Sequence, residues 1–311
     1  MLKNKQLALK KRKIKFNDWQ LYALMLLPLL QVFIFHYLPM CGIVIAFKDF
    51  KYSKGILGSE WVGFDNFEFF FKSDTFVRIL KNTLLLNFAF IILGILLAVT
   101  VAIMLYHVAS RKATKLYQTV VITPNFISWV IASYMVYAFL NPQYGLINGI
   151  LSSFGRDTVN WYSEPKYWPF ILIICNIWKH VGMDSIMYYA ALMGVDSSLF
   201  EAAEIDGANK WQVIKHIMLP SLKPIIVILT ILNIGKIFRA DFGLFYNVPR
   251  NIGLLYETTD VVDTYVFRAM RELGDMGMSA AVGLLQSCVG FVMVVITNAI
   301  VKKIEPEHAM F

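Results

Sequence analysis

The chain has 311 residues, of which 58% are hydrophobic and only 16% charged, against roughly 25% charged in an ordinary soluble domain. A mean hydropathy of +0.58, with 24 Phe and 15 Tyr, makes lipid the main solvent, so a length that would allow about two soluble domains instead implies one bundle of membrane-spanning helices. The net charge of +8 does not argue for nucleic acid, because much of it sits in residues 1–15.

That N-terminal stretch carries Lys3, Lys5, Lys10, Lys11, Arg12, Lys13 and Lys15 without an acid, the mark of a cytoplasmic anchor. Residues 1–20 are therefore read as a basic tail and 21–311 as the membrane domain. The apolar run that follows, about 21–47, is longer than the core of a signal peptide and has no small-residue cleavage site after it. About 20 apolar residues cross a bilayer as a helix. Six segments meet this: 21–47, 80–106, 116–140, 167–193, 222–246 and 279–301. Pro28 and Pro39 are expected to kink the first. The class predicted is all-α, polytopic, with six transmembrane helices and both termini in the cytoplasm. The loop 107–115, with Arg111, Lys112 and Lys115, falls on the same side by the positive-inside rule.

Outer loops are rich in aromatics. Trp61, Phe64, Phe67, Phe69, Phe70 and Phe71 read as an interfacial segment, and Trp161, Tyr162, Tyr167 and Trp168 as an aromatic belt ahead of the fourth span. Small residues recur every fourth position at Gly94, Ala98 and Ala102 in the second span. A similar stripe, Ser279, Gly283, Ser287 and Gly290, runs along the sixth. Such stripes let helix backbones approach closely. Cys41, Cys175 and Cys288 fall in apolar segments and read as small hydrophobes.

The segment 194–221 is a charged insertion between two apolar spans, and topology puts it in the cytoplasm. Ser198 with Glu201 three residues on reads as a capping box opening a helix over 199–206. Gly207 supplies the left-handed conformation that ends it. Asn209 with Gln212 opens a second helix carrying Trp211, Ile214 and Met218, which Pro220 is expected to stop. Pro224 falls in the first turn of the fifth span. An amphipathic hairpin on the membrane surface is the simpler reading. Glu201, Glu204 and Asp206 oppose it, because inner leaflets are negatively charged, and a protein partner suits them better.

The stretch ALMGVDSSLFEAAEIDGANKWQVIKHIMLPSLKP, residues 191–224, resembles the EAA loop of binding-protein-dependent ABC importer permeases. Its pattern of EAA, a glycine four residues after the second alanine, and a terminal Leu-Pro corresponds here to Glu201, Ala202, Ala203, Gly207, Leu219 and Pro220. The segments DWQLYALMLLP, FHYLPMCGIVIAFKDF and WVGFDNFEFFF resemble the carbohydrate-uptake branch, in its oligosaccharide and polysaccharide-fragment subset. The resemblance implies a type I importer permease fold in a bacterial cytoplasmic membrane. It implies a homologous second permease as heterodimer partner, two ATP-binding cassette ATPases and an extracytoplasmic sugar-binding lipoprotein. Glu201, Ala202, Ala203, Asp206, Gly207, Leu219 and Pro220 would couple to the ATPase. ATP and Mg would sit on that partner, with no cofactor or metal on this chain. No G-x-x-x-x-G-K-[ST] phosphate loop occurs in the sequence, which suits a permease that borrows its ATPase. A membrane-embedded enzyme acting on a lipid-linked sugar, and an importer of a non-sugar solute, are the alternatives.

Ionisable groups in mid-span cost about 2.5–3.5 kcal/mol on insertion scales, so each is a functional candidate. Asn176, His180 and Asp184 share one face of the fourth span, flanked by Lys179. Asn233 and Lys236 lie at comparable depth in the fifth, followed by Arg239. These residues either line a sugar pathway or pair internally, as Asp184 with Lys236. Trp178 is a further candidate, for stacking on a sugar face.

Overall fold

A backbone N–H or C=O in lipid has no water to bond, so a spanning segment satisfies its own polar groups as a helix. The computed structural model describes residues 19–72 and 74–304. The basic tail, most of residues 1–20, lies outside them. Five helices are long and apolar enough to cross a membrane: Trp19–Phe47, Thr75–Tyr106, Pro165–Met193, Lys210–Ile234 and Met276–Lys303. A bent pair, Arg111–Phe126 and Trp129–Leu140, makes a sixth if it is one broken span. Strand structure among the described residues is a single short antiparallel pair, Lys48–Asp49 with Glu60–Trp61.

Prolines change the winding of two spans without ending them. The first begins as an α-helix over Trp19–Val32, widens at Phe33–Tyr37 and tightens to 3₁₀ turns over Leu38–Phe47. In the wide turn the Leu38 N–H donates to the Phe33 carbonyl, five residues back. Pro39 follows directly. It has no N–H to offer and its ring would strike the carbonyl four residues earlier in a regular helix, and the wide turn removes both conflicts. The same solution precedes Pro220. Lys210–Val213 passes through a wide turn at Ile214–Met218 into Leu219–Ile234, with the Leu219 N–H donating to the Ile214 carbonyl. Pro220 therefore does not stop the second loop helix, contrary to expectation. Loop helix and fifth span form one rod of 25 residues.

The stretch 116–140, expected to be a continuous third span, is two helices at an angle. Arg111–Ile122 ends in a 3₁₀ turn at Thr123–Phe126 with Pro124 at its start. The next helix, Trp129–Leu140, leaves at 98°. Ser128 caps it, its hydroxyl accepting the Ile131 N–H at 3.3 Å. The break leaves carbonyls without helical partners, and the fourth span supplies them. Lys179, buried, donates to the carbonyls of Asn125, at 3.0 Å, and Ile127. Gly182, one turn further on, brings the two backbones together: a Cβ there would overlap the Val121 carbonyl.

The fifth span, expected to reach 246, ends at Ile234. Gly235 lies directly against Gly290 of the sixth span, where an added Cβ would fall 2.5 Å from the Gly235 oxygen. The chain then unwinds until the Asp241 carboxylate caps a short helix, Phe242–Asn247. Of the small-residue stripes, Ala98 and Ala102 are fully buried with Tyr188 and Leu192. Gly94 faces open space, while Gly283 and Ser287 stay exposed.

The expected aromatic belt before the fourth span is instead core. Trp168 and Tyr162 are buried with Leu172, Leu244 and Leu255. Trp168 Nε1 donates to the Trp161 carbonyl at 2.7 Å, and Trp161 Nε1 to Asn148 Oδ1 at 3.0 Å. A local hydrogen-bond network thus satisfies the indole groups and lets them leave the interface. Trp61 and Phe64 remain exposed and pack on Phe47.

Gly182→Ala should force the third and fourth spans apart and cost about 3 kcal/mol, at the upper end of overpacking penalties. Thermal unfolding of the purified membrane protein will show it as a lowered midpoint, with Ala190→Gly as a control of comparable size change.

Candidate functional site

Two features stand out. The first is a polar cavity of about 400 Å³ between the second, fourth and fifth spans, lined by Asn87, Asn176, His180, Asp184, Asn233, Lys236 and Arg239 with Phe90, Ile91 and Ile237. Four-residue spacing on the fourth span brings Asn176, His180 and Asp184 to this wall. Asn233 comes from the last turn of the fifth helix, and Lys236 and Arg239 from the unwound segment beyond it. A narrower chamber of about 110 Å³ shares Asp184 and Asn233 and runs on past Gly94, Met187 and Tyr188. Gly94 opens room here instead of serving a helix contact.

The unwound segment is held in place by side chains from three directions. Asn87 Nδ2 donates to the carbonyls of Ile237, at 2.7 Å, and Arg239, at 3.0 Å. Gln286 Nε2 donates to the Phe238 carbonyl at 2.7 Å. Asp263 accepts the Ala240 N–H at 2.7 Å and a bond from Gln286 at 3.3 Å. Burial raises the Asp263 pKa above its ordinary value, and these bonds and the Arg239 charge oppose that rise. Asp241 accepts from Trp129 Nε1 at 2.6 Å and lies 3.8 Å from His180 Nε2. His180 is thereby oriented from behind, by a carboxylate outside the cavity wall. Asn87 was missed in the sequence, although a lone amide inside an apolar helix is a signal of this kind.

Two predicted residues stand elsewhere. Lys179 points away from the cavity into the break of the third span, with Trp129 beneath its ammonium at 5.2 Å from the ring centre. Trp178 is partly exposed on another face and is not among the lining residues. No ion pair joins Asp184 to Lys236 among the described residues.

The second feature is the loop between the fourth and fifth spans. Its first helix is Ser197–Ile205, two residues earlier than expected, because Asp196 and not Ser198 is the cap. The Asp196 carboxylate accepts the Ser198 N–H at 3.0 Å, which holds its pKa below the ordinary value. An ionised Asp at this position also offsets the positive helix terminus. Gly207, at φ +72°, ends the helix. The Ala208 N–H bonds the Ala203 carbonyl at 2.9 Å and the Gly207 N–H the Glu204 carbonyl at 3.0 Å, a Schellman ending. Asn209 and Gln212 form the expected reciprocal box, at 3.0 and 2.7 Å.

The loop is anchored on one side and bare on the other. Phe200 packs on Tyr106 of the second span, 5.2 Å between ring centres. Glu201, Ala202, Asp206, Leu219 and Pro220 are exposed and Ala203 is half-buried. Ile205 and Trp211 are 86% and 79% exposed. Ala203, Asp206, Gly207 and Gln212 border a groove between the two helices.

Residues 90–306 match the family described as binding-protein-dependent transport system inner membrane component, and the chain belongs to it. Among its relatives, the polygalacturonan/rhamnogalacturonan transport system permease protein YteP of Bacillus subtilis (strain 168) is 36% identical over 96% of this chain and 92% of its own. Protein LplB of the same organism is 34% identical over 94% and 92%. Among solved structures, a chain of a bacterial ABC transporter involved in the import of the acidic polysaccharide alginate superposes with a TM-score of 0.84. It is 36% identical, over 93% of this chain and 97% of that one.

Replacing Lys179 by Met should strand two partly buried carbonyls at about 1 kcal/mol each and lower the unfolding midpoint of the purified protein, whatever its effect on transport. Gly207→Ala meets open space but keeps a left-handed backbone, so its cost is conformational, about 1 kcal/mol. Hydrogen exchange of the 197–213 amides should quicken accordingly, and less for Gly207→Asn.

Proposed function

We propose that this chain is a transmembrane permease subunit of an ATP-driven importer that moves an oligosaccharide delivered by an extracytoplasmic binding protein. The observation that carries this is the exposed loop with Glu201, Ala202 and Ala203 at its surface and Gly207 at its hinge, joined without interruption to the fifth span. Family membership and the polysaccharide transport named for its relatives support the cargo class. A second solved structure, of the alginate transporter with an alginate pentasaccharide-bound periplasmic protein, supports the delivery route.

In this reading both termini are cytoplasmic, six spans cross the membrane with the bent pair as the third, and the loop faces the cytoplasm. A homologous permease completes the pathway, and two ATPase subunits hold ATP and Mg²⁺. The small side chains of Ala202 and Ala203 allow close docking, with Ile205 and Trp211 as apolar contacts. The mechanical consequence follows from helix geometry. The 25-residue rod Lys210–Ile234 spans about 37 Å at 1.5 Å per residue. It starts in the loop and ends at Asn233 on the cavity wall. A push on the loop therefore displaces the wall directly, and Gly207 lets the docking helix keep its seat while the rod tilts.

The test is reconstitution of the chain with its sister permease, ATPase and binding protein in liposomes. Glu201→Ala and Gly207→Pro should abolish ATP-dependent oligosaccharide uptake and binding-protein-stimulated ATP hydrolysis, while the subunits still co-purify. Uptake by the wild-type chain without any ATPase, or turnover of a sugar substrate by the purified chain alone, would refute the reading.

A further inference from the structure

The polar cavity does not end at Asp184. It narrows from about 400 Å³ into the chamber of about 110 Å³, with which it shares Phe90, Ile91, Asp184 and Asn233. One face of each bordering helix carries on from the wide space into the narrow one. On the second span this face runs from Asn87 to Gly94, and on the fourth from His180 through Asp184 to Met187. Steps of three, four and seven residues keep such a lining on one side of a helix. Beyond the chamber, Ala98 and Tyr188 join Leu192, Met218 and Leu222 in a packed apolar cluster at the loop end of the bundle. The chamber is therefore the waist between an open polar volume and a closed end.

Gly94 stands at this waist. Ala98 and Ala102, which continue its four-residue stripe, are fully buried beside Tyr188 and Leu192. A Cβ built on Gly94, by contrast, meets no atom within 4 Å. Close helix approach does not require glycine here, as it does at Gly182, where a Cβ would overlap the Val121 carbonyl. Backbone geometry does not require it either, since Gly94 lies inside the α-helix Asp74–Tyr106. In a helix interior glycine is less stable than alanine. What the missing side chain leaves is width. Met187 lines the same chamber from the fourth span and is 40% exposed. Its unbranched thioether chain adapts its shape readily, so one wall of the waist is fixed and open and the other is yielding.

We propose, on the basis of the importer reading, that Gly94 sets the bore of the pathway and that, with Met187, it makes the chamber a width filter through which the saccharide passes end-on. Asp184 and Asn233 belong to both spaces. They give sugar hydroxyls an acceptor and an amide on either side of the waist, so the cargo keeps polar partners as it enters the narrow part.

The experiment measures ATP-driven uptake by the full complex in liposomes, with the binding protein present and radiolabelled trigalacturonate and maltotriose as probes. Gly94→Ala should lower uptake while the unfolding midpoint rises, because alanine favours the helix and its methyl group enters open space. Gly94→Leu should slow uptake at least about tenfold, the least expected of a misfitting methylene group in a pocket, with the midpoint not lowered and the sister permease still co-purifying. Adding Met187→Ala to Gly94→Leu should recover most of that loss, since it returns width from the opposite wall. Uptake by Gly94→Leu equal to wild type, or no recovery in the double variant, would overturn the proposal. A lowered midpoint or loss of the sister permease would assign Gly94 to helix or subunit packing and overturn it as well. Failure of the wild-type complex to take up either trisaccharide would count against the importer reading itself, and the filter would fall with it.

Discussion

Backbone that leaves helical geometry at membrane depth must find its hydrogen bonds elsewhere in the protein, and this requirement shapes the bundle. Among the described residues the chain leaves helical geometry in this way at the break between Arg111–Phe126 and Trp129–Leu140 and in the segment after Ile234. At the break of the third span the carbonyls of Asn125 and Ile127 are taken by the buried Lys179 ammonium. Beyond the fifth span the carbonyls of Ile237, Phe238 and Arg239 are taken by Asn87 and Gln286. Both repairs use side chains of other spans, so each irregularity locks two or three helices together. The polar residues that remain uncommitted then have a definite place, the cavity between the second, fourth and fifth spans.

The contrast between Lys179 and its neighbours on the fourth span shows how this sorting works. Lys179 and His180 are adjacent in sequence, yet one helical step of 100° sends the first into the third span and the second into the cavity. A long basic side chain aimed at free carbonyls is structural. A histidine backed by Asp241 and facing an open polar volume is available to a ligand. The loop obeys a related economy. Its inward residue, Phe200, ties it to the second span, and its outward residues, Glu201, Ala202, Ile205 and Trp211, are exposed.

What sequence alone revealed was local. The second, fourth and sixth spans, the left-handed Gly207 and the Asn209–Gln212 box follow from patterns a few residues long. The face carrying Asn176, His180 and Asp184 follows from helical periodicity. What it concealed depended on distant partners. The third span breaks because Lys179 and Gly182 wait on the fourth to receive it. Pro220 is passed because a wide turn two to six residues earlier shifts the hydrogen-bond register, and nothing in the Leu-Pro pair announces that. Trp168 and Tyr162 read as an interfacial belt in the sequence because aromatics at the membrane edge and aromatics in a core look alike until Asn148 and the Trp161 carbonyl are seen to satisfy their neighbours.

In the proposed coupling, motion of the loop reaches the polar cavity through the rod Lys210–Ile234. Its most direct measurement is thiol labelling of Asn233→Cys, with Cys41, Cys175 and Cys288 replaced, in the reconstituted complex. A membrane-impermeant charged reagent should reach position 233 from the loop side without nucleotide and from the opposite side once ATP hydrolysis is blocked, and Gly207→Pro should freeze the first pattern. Labelling that is the same in both states, or absent in both, would mean that the rod does not carry the motion.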